Sequence, residues 1–542
     1  MVRLSTLSLT LSAFTIFVID SAAAQQLERT SQTAGGVEAN DASYYPAISA
    51  DGRWVAFESF ATNLYANDSN SEEDVFLWHQ ASGDLTLISR HSDGTPGNGE
   101  SRRAELSGNG NAVVFQSKAS NLISSDLNGR QDIFIHYPTF GITHCISTNP
   151  AGAPSNRDSS LPRISDSGDF VAFESFSSDL VLGDVNAKRD IFVRSLGNGA
   201  IWIASLDSAG GQANDHSKIP TLSADGRFVC FLSSASNLVP GDSNGFDDVF
   251  IHDLLTRTTT RVSLAWDGAE GNGHCKEPYL SADGRVVTFV SAASNLVQGD
   301  SNGVDDVFVH DLKDGTTTRV SVSSLGGQAN NRSIHGILSA DGNLVAFDSL
   351  ASNLVANDSN GTTDNFLHNR TTGETVLTGF NIHGQFPAAK SNFPILSACA
   401  TKMAFQSPDA ELVNADTNNA QDSFWLDLGT SNPANSIVLT APFLAPTGMP
   451  LELKWSNAPA NSPFQIAWSL NLNGLIFGGA QFDIGPPYTP LISGLTSANG
   501  SDFYLTAPVP PAAAGLTVYF EMGARNAAGV IHDSITQAVL FH

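Results

Sequence analysis

Ser49-Ala-Asp-Gly52 is the first of seven copies of a short phrase that returns at a constant spacing of 58 residues. The later copies begin at Ser107, Ser165, Ser223, Ser281, Ser339 and Ser397. No residue is inserted or deleted between copies, which is typical of one structural unit used repeatedly. The phrase therefore decides the fold of most of the chain.

The fifth copy shows what each unit builds. Glu277–Leu280, Arg285–Val290, Asp306–Leu312 and Thr317–Ser321 are short runs rich in β-branched and aromatic residues, with turns between them. Asp314-Gly315 is typical of a hairpin turn. Four antiparallel strands without a helical pattern predict one blade of a β-propeller. Seven copies predict an all-β, seven-bladed propeller over residues 25–429.

The two ends of the repeat region predict how the ring closes. The last copy lacks its fourth strand, because the sequence changes character after Gly429. The segment Leu27-Glu-Arg-Thr-Ser31 lies 58 residues ahead of the one that ends at Ser89, in the matching register. We expect this N-terminal strand to complete the seventh blade and to cover an otherwise open sheet edge.

The segment Pro46-Ala-Ile-Ser-Ala-Asp-Gly-Arg-Trp-Val-Ala-Phe57, followed by Asp74-Val-Phe, resembles the TolB-like propeller repeat, the Pro-Asp relative of the WD40-like repeat. That family's pattern is Ser-Pro-Asp-Gly, whereas four copies here read Ser-Ala-Asp-Gly and three are degenerate. The unit here is also longer. The resemblance implies the fold over residues 27–428. It leaves function open, because such blades occur in binding proteins, in lyases and in the gating domains of peptidases.

Each copy also carries an acidic loop of the form Asp-x-Asn-x-x-x-Asp. Its three polar positions are Asp68, Asn70 and Asp74; Asp126, Asn128 and Asp132; Asp184, Asn186 and Asp190; Asp242, Asn244 and Asp248; Asp300, Asn302 and Asp306; Asp358, Asn360 and Asp364; Asp416, Asn418 and Asp422. Carboxylate and amide oxygens on a flexible loop suit Ca²⁺, which takes six to eight oxygens. We predict a structural Ca²⁺ cofactor at these loops.

The loops are not equal candidates. Adjacent Asp247 and Asp305 add negative charge to the fourth and fifth loops, and Arg130 weakens the second. The alternative is that the Asp and Asn side chains only cap turns through hydrogen bonds to the backbone.

The N-terminal residues predict export. Arg3, an apolar run from Leu4 to Ile19 and Ala22-Ala-Ala24 are typical of a signal peptide over residues 1–24. No later segment is long and apolar enough to span a membrane. We expect a periplasmic or an extracellular, surface-associated protein. A net charge of −27 argues against nucleic-acid partners and anionic membranes. Four cysteines, Cys145, Cys230, Cys275 and Cys399, leave three disulfide pairings open.

Histidines are the first residues to consider for catalysis. His136, His252, His310 and His368 share one repeat position, which favours an interstrand role over an active site. The off-pattern residues are His216, His274, Lys276 and His335. Gly241–Gly245 and Gly299–Gly303 match Gly-x-Ser-x-Gly only as parts of the acidic loops, with no helical pattern after them, so they are not nucleophile elbows. No His-Glu-x-x-His or phosphate-loop motif is present. We assign no catalytic residue.

Residues 430–542 form a second domain. The repeat ends there, charge falls, and seven short alternating runs predict a β-sandwich. The sequence as a whole predicts an exported, non-enzymatic, calcium-stabilised propeller. We expect it to be a monomer that binds a protein or glycan partner, or acts as a scaffold for one. The alternative is a polysaccharide lyase or hydrolase that uses one face of the propeller.

Overall fold

The protein divides into two compact units in a computed structural model, Gln26–Leu428 and a unit that includes Gly429–His542. The structure describes residues 26–66, 68, 70–381, 385–414, 416–418 and 420–429, and the backbone of eight strands between residues 438 and 541. The predicted signal peptide lies outside the described residues. No described helix is long and apolar enough to cross a membrane.

The first unit consists of seven four-stranded antiparallel sheets. The first strand of the unit is β1 (Leu27–Arg29). The next six sheets, which we call blades 1 to 6, each consist of four consecutive strands of the chain. Blades 1 to 3 contain β2 (Ser43–Ile48), β3 (Trp54–Ser59), β4 (Asp74–His79), β5 (Leu85–Leu87); β6 (Ser101–Leu106), β7 (Val113–Ser117), β8 (Asp132–Tyr137), β9 (Ile142–Cys145); β10 (Ser159–Ile164), β11 (Phe170–Ser175), β12 (Asp190–Ser195) and β13 (Ile201–Ile203). Blades 4 to 6 contain β14 (Ser217–Leu222), β15 (Phe228–Ser233), β16 (Asp248–Asp253), β17 (Thr258–Arg261); β18 (Cys275–Leu280), β19 (Val286–Ser291), β20 (Asp306–Asp311), β21 (Thr316–Arg319); β22 (Ser333–Leu338), β23 (Leu344–Ser349), β24 (Asp364–Asn369) and β25 (Thr375–Thr378).

Blade 7 joins the two ends of the repeat region. It contains β26 (Asn392–Leu396), β27 (Lys402–Ser407) and β28 (Asp422–Asp427), and its outer strand is β1. Leu27 pairs with Leu426 and Arg29 with Phe424 in the antiparallel register. The predicted closure by the N-terminal strand is therefore confirmed.

Backbone hydrogen bonds between successive Ser-Ala-Asp-Gly turns form a closed ring around the propeller axis. The Ala50 N–H donates to the Gly108 carbonyl at 2.9 Å, and the series continues from turn to turn until the Ala398 N–H donates to the Ala50 carbonyl at 3.0 Å. Only blade 3 departs, because there Ser167 supplies the N–H. Blade 2 has a glycine at this position, and a Cβ on Gly108 would lie 2.9 Å from the Asp166 carbonyl oxygen. A proline would remove the donor, which gives a physical reason for Ala where the family pattern has Pro.

Each blade packs around one pair of phenylalanines from its second and third strands. The ring centroids are 5.5–6.0 Å apart and nearly parallel in all seven blades. The pairs are Phe57–Phe76, Phe115–Phe134, Phe173–Phe192, Phe231–Phe250, Phe289–Phe308, Phe347–Phe366 and Phe405–Phe424. Both rings of each pair are buried, so the same hydrophobic core is repeated seven times. All four cysteines are free, and Cys230 and Cys275 lie in one core cluster.

The second unit contains two sheets. The three-stranded sheet has the order β29 (Val438–Thr440), β31 (Pro450–Ser456), β34 (Phe503–Pro508). The five-stranded sheet has the order β30 (Leu444–Ala445), β36 (Ile531–Phe541), β35 (Thr517–Arg525), β32 (Pro463–Leu470), β33 (Thr489–Leu495). The predicted β-sandwich stays a prediction, since the side chains that would pack the two sheets lie outside the described residues.

Candidate functional site: the mouth of the central channel

The innermost strand of every blade contains a residue with left-handed backbone geometry. The register of β2 against β3 shifts between Tyr44 and Ala47, and the equivalent shift occurs in each blade. The residues at the shift, with their φ angles, are Tyr45 (47°), Arg103 (55°), Leu161 (49°), Ile219 (54°), Glu277 (49°), His335 (55°) and Phe393 (53°). For non-glycine residues this geometry costs about 1–3 kcal/mol at each position. Backbone strain kept at one position in seven blades marks a place where the direction of the side chain matters.

Hydrogen bonds from the preceding blade hold several of these strained residues. Each acceptor is a side-chain oxygen on the second strand of that blade, at one repeat position. The pairs are Tyr45 N–H to Gln406 Oε1 (2.7 Å), Arg103 N–H to Glu58 Oε1 (3.0 Å), Leu161 N–H to Gln116 Oε1 (2.8 Å) and Ile219 N–H to Glu174 Oε2 (3.0 Å). Blade 5 has Val290 at this position, and the His335 N–H donates to Glu277 Oε2 at 3.0 Å instead. Polar side chains of the neighbouring blade thus hold five of the seven residues in place.

The seven residues surround a cavity of about 400 Å³ at the end of the channel where the innermost strands begin. We call this ring of seven the channel mouth. Beyond it Glu105, Arg163 and Tyr279 project from the same strands, and Arg163 forms an ion pair with Glu105. The channel then narrows to a cavity of about 90 Å³ beside the turns. The wider cavity falls within the size range of small-molecule sites.

Five side chains form a continuous arc around the channel mouth. The guanidinium carbon of Arg103 lies 3.7 Å from the Tyr45 ring centroid, and the Tyr45 ring meets Phe393 edge-on at 4.8 Å. The Phe393 ring lies 3.9 Å from the His335 ring, and His335 Nε2 is 3.5 Å from Glu277 Oε1. Two aromatic rings thus stand between two basic groups, an arrangement that offers both apolar faces and charge to a ligand. The other two positions, Leu161 and Ile219, are apolar.

One residue of the channel mouth, His335, and one residue that supports it, Glu58, have shifted pKa values. Burial lowers the pKa of His335, but the charge of Asp348, its hydrogen bond and the charge of Glu277 together raise it above the ordinary value. Burial, together with the charge of Glu73, raises the pKa of Glu58 to about 8. The raised pKa favours the imidazolium form of His335, and a pKa of about 8 leaves Glu58 largely protonated at neutral pH.

The repeated histidines do not contribute to the channel mouth. Each is hydrogen-bonded at 2.8–2.9 Å from Nδ1 to a threonine hydroxyl on the fourth strand. The pairs are His136–Thr143, His252–Thr259, His310–Thr317 and His368–Thr375. Burial lowers the pKa of all four, to about 4 in His136 and His368. Their predicted interstrand role is confirmed.

Of the four off-pattern residues, His335 alone belongs to the channel mouth. His216 Nδ1 accepts the Arg189 N–H, His274 Nδ1 accepts the Asp247 N–H, and Lys276 is paired with Asp305. Tyr45, Arg103, Glu277 and Phe393 were not among the residues predicted from the sequence. The sequence signal for them is a repeat position that has seven different residue types and is followed by proline in five of the seven copies.

The acidic loops lie on the same face of the propeller as the channel mouth. Ser43 at the start of β2 pairs with Ser59 at the end of β3, and Ser59 pairs with Asp74 at the start of β4. The loop between β3 and β4 therefore leaves the blade at the end where β2 begins. The same order holds in the other blades.

Each acidic loop is organised by its asparagine. The Asn302 amide nitrogen donates to the Ala329 carbonyl at 3.1 Å, and its Oδ1 accepts the Val304 N–H at 3.2 Å. Both bonds recur in all seven loops. In six blades the last aspartate, here Asp306, accepts a buried serine hydroxyl such as that of Ser321. The turn-capping role that the sequence analysis weighed is therefore present, and a cation would have to use the remaining oxygens.

Three loops hold a guanidinium group among their carboxylates. Arg261 Nη1 lies 3.3 Å from Asp242 Oδ1 and 3.5 Å from Asp248 Oδ2. The corresponding distances from Arg319 to Asp300 and Asp306 are 3.1 and 3.4 Å. In blade 7, Arg29 lies among Glu38, Asp416 and Asp422, the one group of three carboxylates in the described residues whose oxygens come within 4.8 Å of one another. The fourth and fifth loops, which the sequence favoured for Ca²⁺, thus already contain a positive charge.

Comparison with known proteins does not assign a function to this chain. The chain is similar to a protein assigned as TolB from Agrobacterium tumefaciens, with 16% identity, a TM-score of 0.32, and coverage of 52% of this chain and 80% of that one. It is also similar to the extracellular domain assigned to a hybrid two-component system of B. thetaiotaomicron, with 9% identity, a TM-score of 0.35, and coverage of 96% and 59%. No protein-family model and no curated protein matches the chain. The assignment as a seven-bladed propeller rests on its strand topology.

Proposed function

We propose that this protein is an exported, non-enzymatic β-propeller that binds a protein or glycan partner at the channel mouth. The observation that carries the proposal is the ring of seven strained residues, all of different types, around a cavity of about 400 Å³. A repeat built for stability alone would keep the same residue in each blade. Seven different side chains at one repeat position instead give an asymmetric surface, as recognition of an asymmetric ligand requires.

The chemistry of the arc favours a ligand with a carboxylate beside an apolar or sugar face. Arg103 and His335 flank the rings of Tyr45 and Phe393. The chain has a net charge of −27, so a site with an arginine and a histidine of raised pKa differs from its predominantly acidic composition. An acidic peptide segment or a uronate-containing oligosaccharide would satisfy both features.

A binding experiment with two probes tests this function. The mature chain is titrated with oligogalacturonate and with an acidic peptide library, and Arg103→Ala is compared with Arg53→Ala, an exposed arginine outside the channel mouth. We expect at least one probe to bind, and Arg103→Ala to weaken it by about tenfold, the loss of roughly one charge-assisted contact. Equal binding by both variants, or no binding of either probe, would contradict the proposal.

The second candidate function is a polysaccharide lyase. It is favoured by one observation, the hydrogen bond between His335 and Asp348 beside Tyr45 and Arg103. A lyase needs a base for the proton next to a uronate carboxylate and a cation near that carboxylate. Incubation with polyuronates, followed by ultraviolet absorbance of unsaturated ends, separates the two functions. A binding protein gives no signal, whereas a lyase gives one that His335→Ala abolishes.

We also propose that Ca²⁺ stabilises the propeller through the acidic loops, and that the chain is exported. Buried carboxylates on the loops support the first part. Thermal unfolding of the mature protein, first with excess calcium and then with a chelator, tests this part. Equal melting temperatures would mean that the Asp and Asn side chains only cap turns. N-terminal sequencing of the exported protein tests the second part, with cleavage expected after Ala24.

A further inference from the structure

The acidic loops fall into two groups according to one residue on the outer strand of the blade. Arg29, Arg261 and Arg319 occupy the same repeat position, near the end of that strand. In blades 4 and 5 the arginine Nη1 contacts Oδ1 of the first aspartate and Oδ2 of the last one, at 3.1–3.5 Å. Two particular oxygens of each loop therefore converge on one point, and a positive charge occupies that point.

Blades 1, 2 and 3 have no charge at the equivalent position, which is occupied by Leu87, Cys145 and Ile203. The same oxygens are then left without a hydrogen-bond partner among the described residues. They are Asp74 Oδ2 in blade 1, Asp126 Oδ1 in blade 2, and both Asp184 Oδ1 and Asp190 Oδ2 in blade 3. None of the corresponding oxygens in blades 4 and 5 is unpartnered. In these five blades, a loop with an arginine has no unpartnered oxygen at these positions, and a loop without an arginine has at least one.

The unpartnered oxygens are deeply buried. Asp74, Asp126 and Asp190 are exposed by 1%, 4% and 0%. Buried carboxylates without a partner are costly, and a cation between them would remove the cost.

We propose that the acidic loops of blades 1, 2 and 3 bind one Ca²⁺ each, and that in blades 4 and 5 an arginine takes the place of the ion. This inference rests on the calcium part of the proposed function. The first and last aspartates supply the converging oxygens, and the asparagine Oδ1, which accepts one N–H, has a second lone pair available. Oxygen ligands of this kind match a hard divalent cation.

Blades 6 and 7 are outside the proposal for separate reasons. In blade 6 the serine whose hydroxyl bonds to the last aspartate in the other blades is replaced by Gly379. The oxygen left without a partner is therefore Asp364 Oδ1, not one of the two that face the arginine position. In blade 7 both carboxylate oxygens of Asp416 lack a hydrogen-bond partner although Arg29 Nη1 lies 3.8 Å from Asp416 Oδ1, so this loop has features of both groups. Neither loop therefore fits the division between blades 1 to 3 and blades 4 and 5.

The test counts bound calcium in the full mature chain by equilibrium dialysis, with Ca²⁺ alone as the probe. Asp184→Asn removes a charge from blade 3, and Ile203→Arg introduces the arginine of blades 4 and 5 into it. Asp300→Asn is the matched control, because Asp300 occupies the repeat position of Asp184 in an arginine-containing blade. We expect the count to fall by one ion in Asp184→Asn and in Ile203→Arg, and to stay unchanged in Asp300→Asn.

Other outcomes overturn the inference in distinguishable ways. If Asp300→Asn loses an ion, or Asp184→Asn loses none, calcium binds but the arginine does not decide where. If the wild type binds no calcium, the calcium part of the proposed function fails as well, whereas binding at the channel mouth is measured separately and stands. Should Ile203→Arg not fold, the isosteric pair Asp184→Asn and Asp300→Asn still decides the question.

Discussion

His335 Nδ1 lies 2.6 Å from Asp348 Oδ1, a contact between the first and second strands of blade 6. Burial lowers the pKa of His335, but the charge of the fully buried Asp348, its hydrogen bond and the charge of Glu277 together raise it above the ordinary value. A histidine whose pKa is raised on folding adds stability below its unfolded pKa, and this stability is lost as the pH rises through the folded value.

We expect Asp348→Asn to lower the pKa of His335 and to remove this pH-dependent part of the stability. Titration of the imidazole C–H signals by NMR measures the first effect, with the exposed His144 as the internal reference. A pKa of His335 that does not change in the variant would show that Asp348 does not hold the proton.

Glu58 gives a pH dependence by a different route. Its Oε1 accepts the Arg103 N–H, and burial together with Glu73 raises its pKa from 4.5 to about 8. The folded state therefore holds a proton that the unfolded state loses, and the free energy of unfolding falls as the pH rises between these values. We expect Glu58→Gln to reduce that fall by on the order of 2–4 kcal/mol.

Urea unfolding below and above this pH window measures the change, with the exposed Glu72→Gln as the control. Gln116 and Gln406 already accept the equivalent N–H in their blades, so the substitution keeps the hydrogen bond. The same pH dependence in wild type and Glu58→Gln would contradict the assignment.

The repeat made the propeller predictable. The predicted strands of the fifth copy agree with β18 to β21 within about two residues, and the segment at Leu27 was found from its spacing alone. Periodic residues predict where strands pair, because each copy must make the same hydrogen bonds and bury the same phenylalanines.

The channel mouth could not be predicted in the same way. Its residues have nothing in common as types, and left-handed geometry at Tyr45 or Leu161 is imposed by the bulge and by the neighbouring blade, not by residue preference. Likewise, Arg261 is separated by 19 residues from Asp242, and only the return of the fourth strand brings them together. The spacing of the repeat alone does not predict contacts between residues at different positions of the repeat, because such contacts depend on how the chain folds within the blade.

The ring of backbone hydrogen bonds at the turns predicts the effect of a proline at the second position of a turn. The Ala282 N–H donates to the Ala340 carbonyl at 3.1 Å. Ala282→Pro removes this donor and leaves a carbonyl of the ring without its partner, at a cost of about 1–3 kcal/mol. Ala282→Ser keeps the N–H and is the control. Urea unfolding of the two variants checks the prediction, and equal stabilities would mean that the ring adds nothing to closure.

The N-terminal strand is the last element on which closure depends. Besides its pairing with β28, the hydroxyl of Thr30 donates to that of Ser423 at 2.8 Å, and the hydroxyl of Ser31 donates to Asp422 Oδ1 at 2.6 Å. Deleting residues 26–31 from the mature chain would leave β28 as an open edge. We expect the free energy of unfolding to fall by about 3–5 kcal/mol, from three to five lost backbone hydrogen bonds.

Urea unfolding measures that loss, and sedimentation detects any association through the open edge. Glu28→Ala, a single change within the strand, is the control and should have little effect. A synthetic peptide of residues 26–33 should restore the stability of the truncated chain, because it can pair with β28 in the native register. If truncation leaves the unfolding midpoint unchanged and the peptide has no effect, the ring is held closed without its seventh outer strand.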